Sequence, residues 1–324
     1  MKVIDTQAHW YPRVLLEAYA DSDGFPGCRR EGDSYAIEML PGQWTSLPLH
    51  FVELELQLET MRDAGVDVVV SSSGSFGDVD ALPVAQAKEV AIAVNEERAA
   101  AEARFEGFLG LATVPWQDAA AAVEVLDDAV SRLGLRGILI HSNIVGRPVD
   151  SAYLRPVYER MSELSVPLFL HPGKTVLEPH VRDLGLEVIA AYMFDSSLAA
   201  LRLVLSGILD GLSLNVVHPH CGATLPYLAG RIDHSYWKPW ALGKELDRPP
   251  GELLKDFYTD TMCQSPETLA FAKSFYGVEH LLYASDYPYY QPAESLAFVR
   301  GCLEDSEAEA VLWRNAARLL RLDA

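Results

Sequence analysis

The chain has 324 residues, with 26 Lys and Arg against 46 Asp and Glu, a formal net charge of −20. That balance excludes the basic stripe a nucleic-acid binder needs, and acidic residues spread along the chain favour solubility. Apolar residues make up 49% of the sequence, enough for a large core, yet no run of about 20 apolar residues stands out to cross a membrane.

The first element is the strand-like "KVIDT", which leads into Gln7, His9 and Trp10. Residues 21–50 then read as a long insertion loop after strand one, placed to cover a catalytic face. "LELQLETMRDAG" puts Leu54, Leu58 and Met61 on one helical face and stops at Gly65. The strand "VDVVVSS" at 66–72 follows, then the alanine-rich helix "VAQAKEVAIAVNEERAAAEA" and a strand at 105–113. "DAAAAVEVLDDAVSRLG" is a helix with Asp118 as its N-cap and Gly134 at its end. Further strands fall at 136–141, 166–171, 212–218, 256–261 and 280–286. The helices "ESLAFVRGCL" and "EAEAVLWRNAARLLRL" close the chain. Most of these strands are continuous apolar runs, as expected of parallel strands buried on both faces. Strands alternating with helices over this length define an α/β chain, a (β/α)₈ TIM-type barrel with the long insertion after strand one, in a single domain spanning 1–324. A doubly wound open sheet is the alternative, but no G-x-G-x-x-G or P-loop supports it.

The four cysteines, Cys28, Cys221, Cys263 and Cys302, have no C-x-x-C spacing, which argues against a disulfide framework or zinc knuckle. The N-terminus lacks the basic start and apolar centre of a signal peptide, so the cytoplasm is the expected location.

Barrel active sites are built at the carboxyl ends of the strands, so the polar residues that end these apolar runs are the informative ones. His9, His141, His171, His218 and His220 all fall there, beside Asp286 and Gln7. Imidazole and carboxylate donors gathered on one rim suit a divalent metal such as Zn²⁺, Mn²⁺ or Fe²⁺. Period-two geometry aims Gln7 and His9 the same way, and likewise His218 and His220. Gln7 is either a weak ligand or a backbone partner at the barrel mouth, His141 either a ligand or a support. One of His218 and His220 is expected to stand outside the donor set. Trp10, Tyr287, Tyr289, Tyr290, Trp237 and Trp240 are candidates to stack on a flat substrate. Arg147 and Lys174, just past strands four and five, are candidates to anchor a substrate carboxylate.

The blocks "DTQAHWYP", "LFLHPG", "HCGATLPYLAGRID" and "LLYASDYPY" resemble, in order and spacing, the signatures of the amidohydrolase-2 family of metal-dependent decarboxylases and hydrolases. The resemblance implies a barrel holding one divalent metal, with His9, His171 and Asp286 as ligands. It implies His220 as the acid/base group, because His220 stands six residues before Pro226–Tyr227 and eleven before Arg231; Asp286 would also touch the substrate. Gln7 departs from the pattern, since hydrolytic members usually carry His there and several decarboxylases Glu. His141 and His218 depart too, and could support a second metal. The implied function is a metal-dependent decarboxylase or hydrolase of a small, cyclic or aromatic carboxylic acid, working as a homodimer. Two rivals stay open: a dinuclear O₂-dependent oxygenase on the same fold, and a catalytically degenerate subunit of a hetero-oligomer.

Overall fold

The computed structural model describes residues 1–22, 24, 27–76, 79–238 and 245–322. All eight expected strands are present: β1 Ile4–His9, β2 Val68–Ser72, β3 Phe108–Gly110, β4 Ile138–His141, β5 Leu168–His171, β6 Val216–His218, β7 Tyr258–Asp260 and β8 Leu281–Leu282. They pair in parallel as two arcs, β1–β2–β3 and β4 through β8 in sequence. Two bridges join the arcs, Ala112 to Ile138 and Ala8 to Tyr287. At the second seam Thr6 N–H donates to the Tyr283 carbonyl, His9 N–H to that of Tyr287 and Asp286 N–H to that of Gln7, at 2.9, 2.8 and 2.9 Å. The cylinder is therefore closed, a (β/α)₈ barrel.

Its side chains divide into two layers, as strand alternation demands. Ile4, Val70, Leu111, Phe169, Val217, Tyr258 and Leu282 point inward with Leu139, and Ala316, Ala317, Leu319 and Leu320 of the C-terminal helix plug the floor. Alternate residues such as Ala8, Val69, Ile138, Ile140, Leu168 and Val216 pack outward against the helices. With the floor sealed by apolar side chains, polar chemistry is left to the opposite mouth.

The local signals act as read. Asp118 Oδ1 accepts the Ala121 N–H at 2.9 Å, and the helix Leu54–Asp63 is followed by Gly65 at φ +89°, a left-handed position that glycine occupies without steric cost. Residues 21–50 differ from the expected loop. Cys28–Glu31, Ser34–Leu40 and Gln43–Ser46 form a three-stranded antiparallel sheet whose Tyr35 and Ile37 join the outer core layer. The helical segment Glu187–Leu205 is long and apolar enough to cross a membrane, but half of it is buried and it packs on β5 as a barrel helix.

One buried cation ties the outer layer to the barrel. Arg98, on the helix Val84–Arg104 and 1% exposed, donates to the Leu111 carbonyl, Thr113 Oγ1 and Ser73 Oγ. Burial pulls its guanidinium down to about 10. Arg98→Met is expected to cost about 3 kcal/mol in urea denaturation, because it strands two buried acceptors and one half-buried one at once. A loss below about 1 kcal/mol would show that these bonds contribute little beyond packing.

Candidate active site

The first corner of the site depends on an irregularity in β1. Against β2, Asp5 pairs with Val69 and Ala8 with Ser71, so Thr6 and Gln7 together stand opposite one residue. This β-bulge switches the alternation: Ile4 faces the interior, but Ala8 faces the helices. Gln7 and His9 are thereby turned into the barrel mouth. On β4 and β5, Leu139 and Phe169 lie inward, so His141 and His171 two residues later do the same.

His9 Nε2 lies 2.8 Å from Asp286 Oδ1 and its Nδ1 3.2 Å from Ser72 Oγ. His171 Nδ1–H donates to the Pro172 carbonyl at 2.8 Å, which leaves its buried Nε2 lone pair without a partner among the described residues. Burial first, then the neighbouring His9, His141 and His220, hold the His171 imidazole well below its usual range and so neutral. Donor atoms of His9, His171 and Asp286 lie within 4.8 Å of one another, all three residues buried. Two imidazoles and one carboxylate, each ring oriented through its other nitrogen, fit a divalent cation. Gly74 makes room for this corner. At φ +60°, a Cβ there would sit 3.0 Å from the His9 ring.

Gln7 stands beside this group. Its Nε2 donates to Asp286 Oδ1 at 3.0 Å and lies 3.4 Å from His220 Nε2. It thus links the carboxylate to the candidate acid/base group. His220 reaches the mouth because the chain leaves β6 through left-handed turns at His220 and Cys221, φ 58° and 54°. Its ring centroid is 6.3 Å from that of His171. Beneath it Asp260, which sequence reasoning missed, accepts the N–H groups of Cys221 and Met262 at 3.1 and 2.9 Å. Burial raises the Asp260 carboxyl, while His220 and these N–H groups pull it back. Its signal was available, since Tyr258 and Asp260 are two apart on β7.

The other expectations are sorted by strand parity. His218 follows inward-facing Val217 and shares the outer face of Val216, so His218 and His220 do not point the same way; the turn after β6 breaks the period. His141 stays beside the site, 6.2 Å from His171 between ring centroids, with Nε2–H donating to the Gly74 carbonyl at 2.8 Å. A second-metal pair of His141 and His218 is therefore not assembled. Trp10 is 5% exposed, donates to the Val52 carbonyl and lies edge-on to Phe108 in the outer layer, away from the mouth. Tyr287, 2% exposed and beside His50, is turned outward in the same way. Arg147 is exposed and lies over the Tyr153 ring, and Lys174 is exposed at the rim; neither lines the cavity. Trp237 is exposed, and Trp240 lies outside the described residues. Tyr289 and Tyr290 do line the cavity, Tyr289 with its ring 5.8 Å from His9.

That cavity, about 540 Å³, opens above His171, His220 and Asp286. Its walls come from segments the sequence did not single out: Ser75 and Phe76, then Val188, Ile189, Tyr192 and Met193, then Met262, Cys263 and Gln264. None of the described lining residues belongs to the insertion at 21–50.

His218 carries a pH prediction. It is fully buried, neither ring nitrogen has a partner among the described residues, and burial pushes it down to about 3. The unfolded chain titrates near 6.5, so below that pH the unfolded state binds the extra proton. Stability contributed above pH 6.5 is then lost as pH falls toward 3, by up to about 1.4 kcal/mol per pH unit. His218→Leu is expected to lose about 2 kcal/mol less than the wild type between pH 7 and pH 5 in urea titrations. Parallel profiles would clear His218 as the source.

A closed parallel barrel with a buried imidazole–carboxylate group at the carboxyl ends of its strands places the chain among the barrel enzymes. Residues 4–322 match the amidohydrolase family, and the chain belongs to it. Among its relatives, 2-amino-3-carboxymuconate-6-semialdehyde decarboxylase of Dictyostelium discoideum is 27% identical over 222 residues, 67% of this chain and 62% of that protein, so the match spans less than two thirds of that relative. 6-Methylsalicylic acid decarboxylase of Penicillium expansum is 28% identical over 299 residues, 89% of this chain and 85% of that one. Of solved structures, the apo form of Metarhizium anisopliae IDCase superposes with a TM-score of 0.90 at 21% identity, covering 100% of this chain and 98% of the other. The dihydroxybenzoic acid decarboxylase of Polaromonas sp. JS666, with bound manganese and the inhibitor 2-nitroresorcinol, superposes at 0.80 and 21% identity, covering 100% and 98%.

Proposed function

We propose that this protein is a metal-dependent decarboxylase of small aromatic carboxylic acids. The observation that carries the reading is the buried group of His9, His171 and Asp286 under a cavity walled by aromatic and apolar side chains, in a family whose relatives named above are decarboxylases. His9, His171 and Asp286 would hold a divalent cation. When bound it supplies Lewis-acid chemistry, orienting and polarising substrate oxygens; manganese and zinc are the first to test. His220 holds a proton at the mouth and delivers it to the ring carbon that loses CO₂, so the electron pair of the broken C–C bond ends in the new C–H bond. Gln7 positions His220 relative to Asp286 through its two contacts. Tyr289, Phe76 and Met262 wall the ring's space. The exposed apolar residues Leu184, Ile189, Phe194 and Leu198, on one stretch beside the cavity, support a homodimer, and the cytoplasm is the proposed compartment.

The test is CO₂ release by manganese- or zinc-loaded protein from 2,6-dihydroxybenzoate and 6-methylsalicylate, with chelated protein as control. Release that depends on the metal supports the reading. Protein that holds one equivalent of metal yet turns over neither acid, while hydrolysing aryl esters or lactones, would overturn it.

A further inference from the structure

Every described residue that lines the cavity is neutral or apolar except Asp286 and the two histidines, and none is a lysine or arginine. The two cations expected from the sequence to anchor a carboxylate, Arg147 and Lys174, are exposed outside it. At the donor group, position 7 holds a neutral amide, so His9, His171 and Asp286 contribute one negative charge between them, and a divalent cation there keeps one net positive charge. That charge matches a single carboxylate. A second carboxylate on the same ring would meet Val188, Ile189, Met193 and Met262, and none of these apolar side chains can donate to it or pair its charge. The cavity is also larger than one bare ring needs. At about 540 Å³ it falls within the roughly 300–1,000 Å³ of pockets that take drug-sized ligands.

We infer that the cavity selects monocarboxylate aromatic acids bearing an apolar substituent and rejects dicarboxylates, with Gln7, Met193 and Met262 as its specificity-determining residues. The inference rests on the decarboxylase reading and deepens it. Gln7 sets how much positive charge faces the ligand, and the two methionines adapt to the apolar substituent, as flexible thioethers do. A Glu at position 7 would cancel the charge that a carboxylate ligand meets.

The experiment is calorimetric binding of three probes to zinc-loaded protein: 2-hydroxybenzoate, 6-pentyl-2-hydroxybenzoate and 4-hydroxyisophthalate. The expected order is pentyl-substituted tightest, by about tenfold over 2-hydroxybenzoate, and the dicarboxylate weaker than 2-hydroxybenzoate by about tenfold. Met193→Lys is expected to strengthen 4-hydroxyisophthalate at least about tenfold relative to 2-hydroxybenzoate. Gln7→Glu is expected to tighten zinc binding, read without any acid present, and to weaken 2-hydroxybenzoate by about tenfold or more. A dicarboxylate that binds as well as the monocarboxylates would overturn the inference and leave the decarboxylase reading standing. Zinc-loaded protein that binds none of the three acids would overturn both. The wild-type series decides the matter even where a variant fails to fold.

Discussion

Replacing His220 with alanine is expected to lower decarboxylation about 10²–10⁴-fold, the usual contribution of a positioned proton donor, while metal content stays near that of the wild type. The separation of the two effects follows from geometry. His9, His171 and Asp286 converge without His220, whose contacts in the mouth are Gln7, at 3.4 Å, and the edge of the His171 ring. His220 sits at φ 58°, where a non-glycine side chain costs roughly 1 kcal/mol, so alanine is not expected to reshape the turn. His220→Asn serves as a second variant, since Asn adopts the left-handed region readily and cannot deliver a proton. Turnover by stopped assay, metal by mass spectrometry and Tm should be read on the same preparations. Loss of metal together with activity in both variants would make His220 a ligand and end its assignment as the acid/base group. Retained turnover would move the proton donor elsewhere in the cavity.

The barrel was legible because parallel strands are buried on both faces, and runs such as Val68–Val70 and Leu168–Leu170 have few other ways to bury themselves. The donor histidines were legible because they end those runs. What alternation alone could not reveal was where its own parity is broken. The bulge between Asp5 and Ala8 and the left-handed turn at His220 and Cys221 decide which side chains face the mouth, and neither leaves a pattern in a single sequence. Trp10 and Tyr287 illustrate the cost. Each adjoins a residue of the donor group in sequence, and each therefore falls on the opposite face, against the helices. Arg147 and Lys174 failed as anchors for a different reason. They follow strand ends, but long charged side chains keep their heads in water unless a partner repays desolvation, and among the described lining residues Asp286 is the one carboxylate. The insertion at 21–50 hid a sheet because its strands are short and its turns polar. The walls came from helix-borne residues such as Tyr192 and Met193, whose orientation depends on how the helix packs.

The second large effect is expected at Asp286. Asp286→Asn should abolish both metal retention and turnover, and the apoprotein should remain folded. Asp286 lies at φ 59°, a conformation Asn shares with Asp, and its backbone N–H still donates to the Gln7 carbonyl across the β1–β8 seam. Closure of the barrel therefore does not depend on the carboxylate. What changes is charge. The donor group drops from one negative ligand to none, and a divalent cation then faces two imidazoles and two neutral amides, a much poorer set. Thermal melts separate this effect from unfolding. In the wild type, metal at about 100 times its dissociation constant adds about 2.7 kcal/mol to stability, which raises Tm by several degrees in a domain of this size. That rise should vanish in Asp286→Asn, whose Tm should match wild-type protein stripped by a chelator. A variant that melts far below the stripped wild type would make Asp286 a structural residue of the seam. A variant that keeps the metal-dependent rise would place the ion on other donors. Either result would dismantle the site as assembled here from His9, His171 and Asp286.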